Sequence, residues 1–346
     1  MLSPRHRRLV LPALVALLLT SIVAGLAVGA VPISPLSSLR LVLWRLHLGP
    51  RPPGVPQTTE VILFQLRLPR VMLAVVVGAG LAAAGAVFQA SFRNAMADPA
   101  IIGVSSGAAL GAIVVILSGA GAAAGGFGVS AAAFVAALAT ALVVYRLARL
   151  GPAVQVATLL LAGVAVAAII SALMSLLMTF SGEQIRSIYF WLLGGLADAS
   201  WRSVETAAPL VLGGVAFAVW SASDLNVTVL GEERAAQLGL EVERFKRRML
   251  AVGALLTAAA VSVAGVIGFV GLMTPHILRL IVGADHRRLM PASVLGGASL
   301  MVLADLAARS VVPPVEIPVG VVTALLGGPF FLYLLRRERR VAGAGA

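Results

Sequence analysis

The 346-residue sequence contains no cysteine, which excludes disulfides and thiolate metal sites and leaves the redox compartment unread. Lysine is almost as scarce. Lys246 is the only one, so no Walker A loop exists to bind ATP, and any ATPase that works with this chain is a separate protein. No HExxH run is present, and His276 has no histidine partner at helical spacing, so a packed or capping histidine is expected and neither a resident metal nor a catalytic centre. Charged residues make up 12% and aromatics 5% of the chain, against 60% hydrophobic residues. With a mean hydropathy of +1.02, that composition lies far outside the makeup of soluble domains. The formal net charge of +12 resides on arginines at the ends of apolar runs and in the tails. Membrane topology accounts for it, and nucleic acid is not an expected partner.

What is present in quantity is apolar sequence. Runs of span length number about ten, which predicts an all-α, polytopic membrane bundle with residues 1–346 forming one domain. Leu9 to Ala30 is longer than the core of an ordinary signal peptide, so it is expected to be a retained first span behind Arg5, Arg7 and Arg8. The far end, Arg336 to Arg340, is equally basic, so both termini are expected on the cytoplasmic side. Residues 32–60 form a Pro-rich exterior segment, followed by spans near 71–90, 100–118, 129–148 and 154–180, with Pro152 separating the last two. Ile188 to Leu196 is too short to cross and carries Tyr189 and Trp191, as an interfacial helix would. A sixth span is expected near 203–222. Residues 223–248 are then the most hydrophilic stretch, with a short helical pattern in Glu232-Glu-Arg-Ala-Ala-Gln-Leu-Gly239. The seventh span, from near Met249, runs into Gly265-Val-Ile-Gly-Phe-Val-Gly271, dense enough in glycine to predict a broken helix. The span at Leu289 to Ala308 contains Asp305, which Arg309 faces one helical turn later.

The most informative stretch is 67–111. Arg67-Leu-Pro-Arg70 precedes a Gly/Ala-rich apolar run containing Gly78, Gly80 and Gly85; Gln89, Arg93-Asn94 and Ala97-Asp98-Pro99 form a polar elbow; Gly103, Gly107 and Gly111 then follow at four-residue spacing. Small residues so placed let membrane helices approach closely. The order of these residues resembles the signature of the FecCD-type permeases of ABC importers for iron chelates, haem and cobalamin, with Ala95-Met96 replacing a common Pro-Leu pair. Gly271-Leu-Met-Thr-Pro-His276 with Arg279, and Pro313-Pro-Val-Glu-Ile-Pro-Val-Gly320, match two further runs of that family.

The resemblance implies a permease subunit of the bacterial cytoplasmic membrane that performs no covalent chemistry itself. Its expected partners are ABC ATPase subunits holding ATP and Mg²⁺, a substrate-binding protein, a second permease copy, and the bilayer. Arg67, Arg70 and Arg309 are expected to dock acidic residues of the binding protein, since a guanidinium fork suits carboxylates. Glu232, Glu233, Arg234, Gln237, Leu238 and Gly239, inside the 223–248 coupling segment, are expected to engage the ATPase. Ser171, Met174, Ser175 and Met178 share one helical face and, with Tyr189, are the candidate translocation path. The cargo expected is a ferric siderophore or haem, with cobalamin also compatible. The alternative, an ion-coupled secondary transporter, needs intramembrane acids or broken helices at mid-bilayer; Asp305 is better explained by its pairing with Arg309, and no internal inverted repeat is evident.

Overall fold

A computed structural model describes residues 4–29, 31–123, 127–150 and 153–343. Pro152 and the side chains of Arg5, Arg7, Arg8 and Arg337 to Arg340, which the topology reading used, lie outside the described residues. The architecture is a helical bundle. In chain order its helices are α1 (Pro4–Ala27), α2 (Pro35–Arg45), α3 (Gln57–Ser91), α4 (Val104–Leu117), α5 (Phe127–Leu147), α6 (Val156–Thr179) and α7 (Ile185–Leu193). They continue as α8 (Trp201–Trp220), α9 (Ala222–Val229), α10 (Glu232–Gln237), α11 (Val242–Ala264), α12 (Val270–Val282), α13 (His286–Ser310) and α14 (Val319–Gly343). A two-residue antiparallel ladder, Arg149–Leu150 with Ala153–Val154, links α5 to α6.

Among the described residues, seven helices are long and apolar enough to cross a bilayer: most of α1, and α3, α5, α6, α8, α11 and α13. Three shorter apolar helices, α4, α12 and the Val319–Leu334 part of α14, fall below that length, so the count of spans is near the expected ten without matching it. At 14 residues, α4 reaches only about 21 Å, less than a hydrocarbon core. A 3₁₀ turn at Pro99–Ile102 leads into it.

Helix α3 is the centre of the bundle. Its most apolar window is 78% buried, and α13, α11, α8 and α12 pack around it. The packing depends on missing side chains. A Cβ on Gly78 would strike the carbonyl oxygen of Gly297, and one on Gly297 would strike that of Gly78, so α3 and α13 touch backbone to backbone. Gly85 meets Gly271 of α12 in the same way, and Gly107 and Gly111 of α4 lie against the α5 backbone. In a membrane, where burial in lipid and burial in protein are equally apolar, such close van der Waals contact drives helix association.

Two boundaries differ from the sequence reading. Helix α3 begins at Gln57, so the Arg67-Leu-Pro-Arg70 run lies inside it and not in front of it. The helix passes through a π-turn at Ile62–Arg67, in which the Leu68 N–H bonds to the Leu63 carbonyl five residues back. Pro69, with no N–H to offer, follows directly, and the altered pairing accommodates it. Helix α11 begins at Val242, so the charged residues from Glu243 to Arg248 form its first turns and the 223–248 segment comprises α9, α10 and this helix start. The break after α11 is as expected: Gly265 to Phe269 leave the helix, with Gly265 at φ 69° and Phe269 at φ 67°.

Candidate functional site

The residues expected to dock the binding protein and to engage the ATPase fall at the two ends of α3. Arg70 and Ser91 are 21 residues apart on that helix, about 32 Å at the α-helical rise.

At the first end, the three arginines close on the protein itself. Helix α1 stops at Ala27 and leaves its last carbonyls without intrahelical partners. Arg67, 5% exposed, donates from Nη1 to the Leu26 and Ala27 carbonyls at 2.8 and 3.0 Å and from Nη2 to that of Val31. Arg309 donates to the Gly25 carbonyl. Two cations thus sit at the negative end of one helix, where the macrodipole favours them. Arg70 joins a third element: its Nε and Nη2 lie 2.9 Å from Asp305 Oδ1, and its Nη1 is 2.9 Å from Glu316 Oε2. Asp305 is 1% exposed. Its expected partner Arg309 comes second, with Nε 3.5 Å away, because Arg70 on α3 reaches the carboxylate more closely than the neighbour one turn along α13. All three arginines are therefore occupied and almost wholly covered, and Glu316 is the part of the cluster that faces solvent.

At the second end, Gly231 and Gly239, both at positive φ, bracket the short helix α10. Its C-terminus is a Schellman turn: Leu240 N–H bonds to the Ala235 carbonyl at 3.1 Å and Gly239 N–H to that of Ala236 at 2.9 Å. Glycine supplies the left-handed residue that this turn requires. Ala235 is buried under the helix, whereas Leu230 and Leu238 stand exposed. Glu232 pairs with Lys246 at 2.7 Å and Arg93 at 3.6 Å, which ties α10 to α11 and to the elbow after α3. Glu233, Arg234 and Gln237 are exposed. Just inside, Gln89 donates to the Leu272 carbonyl at 3.0 Å and accepts from Arg279 at 3.2 Å, so two separate motifs meet.

The sequence reading missed a polar cluster beside this knob. Asn226 of α9 donates to Asp285 Oδ1 at 2.7 Å and accepts from the His286 N–H at 2.8 Å, locking α9 to the start of α13. Asp285 also caps that helix through the Arg287 N–H at 3.0 Å. These hydrogen bonds, that from Asn226 first, hold the Asp285 carboxyl below its usual pKa. An Asp directly ahead of a long helical run was the available signal.

The candidate path lies on α6, whose most apolar window is only 17% buried. Ser171 and Ser175 are exposed, and Met174 and Met178 half-buried. Tyr189 on α7 is exposed as well, so the chain covers none of these five completely. His276 packs edge-on to Phe330, their ring centres 6.0 Å apart.

Similarities to known proteins agree with this geometry. The model of the FecCD transport family matches residues 17–337. The cobalamin import system permease BtuC of Halobacterium salinarum is 50% identical over 288 residues, covering 83% of this chain and 77% of that protein. The hemin transport system permease HmuU of Yersinia pestis is 43% identical over 281 residues, covering 80% and 84%. Among solved structures, an inward-facing metal-chelate type ABC transporter superposes with a TM-score of 0.82 at 32% identity, covering 94% of this chain and 98% of that one. The chain belongs to the FecCD transport family, the membrane-spanning permeases of ABC importers.

Proposed function

We propose that two copies of this chain pair along α6 in a bacterial cytoplasmic membrane and enclose a path for a metal chelate, with both termini cytoplasmic. The observation that carries this reading is the uncovered α6 face, where hydroxyls and thioethers at 171, 174, 175 and 178 lie on a membrane helix that its own chain leaves open. Separate ATPase subunits, holding ATP and Mg²⁺, grip α10 at the cytoplasmic end. Glu232, Glu233, Arg234, Gln237 and Gly239 shape that contact, and Leu238 is its apolar tip. Closure of the ATPases moves α10 as a rigid body, and Lys246 hands the motion to α11. At the exterior end a substrate-binding protein docks on the arginine cluster. Because Arg67 and Arg309 are engaged with α1, its carboxylates compete with Glu316 for Arg70. The switch between outward and inward openings is a population shift driven by the partners' different affinities for the two states.

The cargo is a ferric siderophore or haem. The cobalamin permease at 50% identity supports cobalamin as a second reading. Because the chain has no cysteine, Ser171→Cys and Ser175→Cys place single thiols on the open face. Oxidation is expected to yield a cross-linked dimer, and a monomer after oxidation removes the pairing. Purification from native membranes is expected to recover a Walker-motif ATPase and ATP-dependent uptake. A chain recovered alone and driven by an ion gradient would transfer the reading to a secondary transporter.

A further inference from the structure

Beside the arginine cluster, the first end of the bundle encloses a cavity of about 730 Å³ that this function has not used. The volume falls within the range of small-molecule sites. Its lining includes Arg186 and Phe190 of α7, together with Arg202 at the start of α8 and Phe127 at the start of α5. Each arginine rests on a ring: Arg186 Cζ is 5.8 Å from the centre of Phe190, and Arg202 Cζ is 4.9 Å from that of Phe127. A cation held over a ring face keeps its N–H groups available for other partners.

Neither arginine forms an ion pair among the described residues, whereas Arg70, on the same cavity, is saturated by Asp305 and Glu316. Of the cavity's acids, Glu316 is spent on Arg70, which leaves Asp198 against Arg186 and Arg202 and an excess of one positive charge. The remaining lining mixes apolar surface with hydroxyls, among them Trp191 and Ser203. Two braced forks over aromatic walls are suited to an apolar or flat body that carries carboxylates at its edge.

We propose that this cavity is a subsite for a carboxylate-bearing chelate, gripped by Arg186 and Arg202 as it enters; the inference rests on the importer reading and narrows its cargo. An occupant bonded to both arginines would also tie α7, which carries Tyr189 toward the path, to α8. Cyanocobalamin, whose corrin rim carries neutral amides, offers a single phosphodiester anion and no carboxylate, so it cannot engage both forks through edge carboxylates.

The test uses the full chain with its ATPase in neutral-lipid nanodiscs, with Trp191 fluorescence as the reporter and Trp191→Phe to assign the signal. The probes are a metalloporphyrin dicarboxylate, its dimethyl ester and cyanocobalamin. The dicarboxylate is expected to bind at least tenfold more tightly than the ester, and the Arg186→Gln/Arg202→Gln double variant to erase that difference, since each lost charge-assisted bond is worth roughly a factor of ten or more. Both arginines are exposed, so the double variant is expected to keep the wild-type melting temperature. Arg186→Lys/Arg202→Lys, with charge but no fork, is expected to fall between. Equal binding of acid and ester, or unchanged binding in the double variant, overturns the subsite. If added anionic phospholipid abolishes the arginine-dependent binding, the site belongs to a lipid headgroup and the proposal also fails. ATP-driven uptake of cobalamin in preference to the dicarboxylate would sink the subsite and leave the importer standing, whereas absence of ATP-driven uptake for every probe would sink the importer reading.

Discussion

Asp305→Asn is the sharpest test of the arginine cluster. The side chain keeps its shape and one acceptor oxygen but loses its charge. In the native cluster Arg70 and Arg309 interact with Asp305 and Glu316, and Arg67 lies near Arg309, three positive charges against two negative. After substitution the balance becomes three against one, at a site where Asp305 is 1% exposed. Removing one partner of a buried ion pair costs about 3–5 kcal/mol, because the other charge is left without compensation. Glu316 pairs with the same Arg70, but its side chain is 42% exposed, and loss of such a solvated pair costs at most about 1 kcal/mol. Thermal unfolding in detergent, followed by tryptophan fluorescence and monodispersity, should therefore rank Asp305→Asn well below Glu316→Gln. A double-mutant cycle isolates the partner: coupling of Asp305 to Arg70 at 2.9 Å should exceed its coupling to Arg309 at 3.5 Å. Equal melting temperatures for the two single variants, or a larger coupling to Arg309, would refute the assignment of Arg70 as the primary partner.

The remaining predictions probe the rest of α3 and the opposite end. Leu238 is 66% exposed, so Leu238→Asp should leave the melting temperature unchanged while uncoupling ATP hydrolysis from uptake; normal coupling would remove α10 from the mechanism. Gly297→Leu should prevent α13 from closing on Gly78 and abolish monodisperse protein, whereas Gly213→Ala, where an added Cβ meets open space, should be neutral or stabilise by up to about 1 kcal/mol. The folded pKa of Asp285 is depressed, so its contribution is fully present above the unfolded value near 3.8 and is lost as pH falls through the folded one. Asn226→Ala, which removes the largest cause of that depression, should therefore lower stability near neutrality and flatten the loss as pH falls below about 3.8; an unchanged acid limb would exclude Asn226 as the source.

The spans were legible because a bilayer demands about twenty apolar residues in a row, and that demand is written locally. Helix starts were less so. Arg67, Pro69 and Arg70 resemble a boundary in any window, and only the π-turn and the distant groups that take up the two cations make them helix interior. The partners of Arg67 are backbone carbonyls about 40 residues away, which no residue type encodes. Asp305 shows the same limit: Arg309 is visible one turn along, while Arg70, the nearer partner, lies 235 residues away. The glycines were readable as close approach, but not the match of Gly78 with Gly297 or of Gly85 with Gly271. The α6 stripe was legible as a shared face, and its exposure in the folded chain was not.

The motif between 67 and 111 thus resolves into two structural tasks held by one helix. Within α3 the Arg67 and Arg70 side chains bind α1 and α13 at one end, and Gln89 binds α12 at the other. Between them the helix is apolar or glycine, so its axial and rotational position is set by those polar ties and by the backbone contacts at Gly78 and Gly85. Gln89 suits its place because one neutral head group carries both a donor and an acceptor. It reaches the Leu272 carbonyl with the first and Arg279 with the second; a carboxylate there would lose the bond to Leu272, and an apolar residue would lose both. The breaks in regular structure lie outside α3: α11 ends at Gly265, α12 starts after Phe269 at positive φ, and α10 lies between two glycines at positive φ. The strongest family signature in the chain therefore marks the helix tied at both ends, and the glycine-punctuated breaks fall in segments outside it.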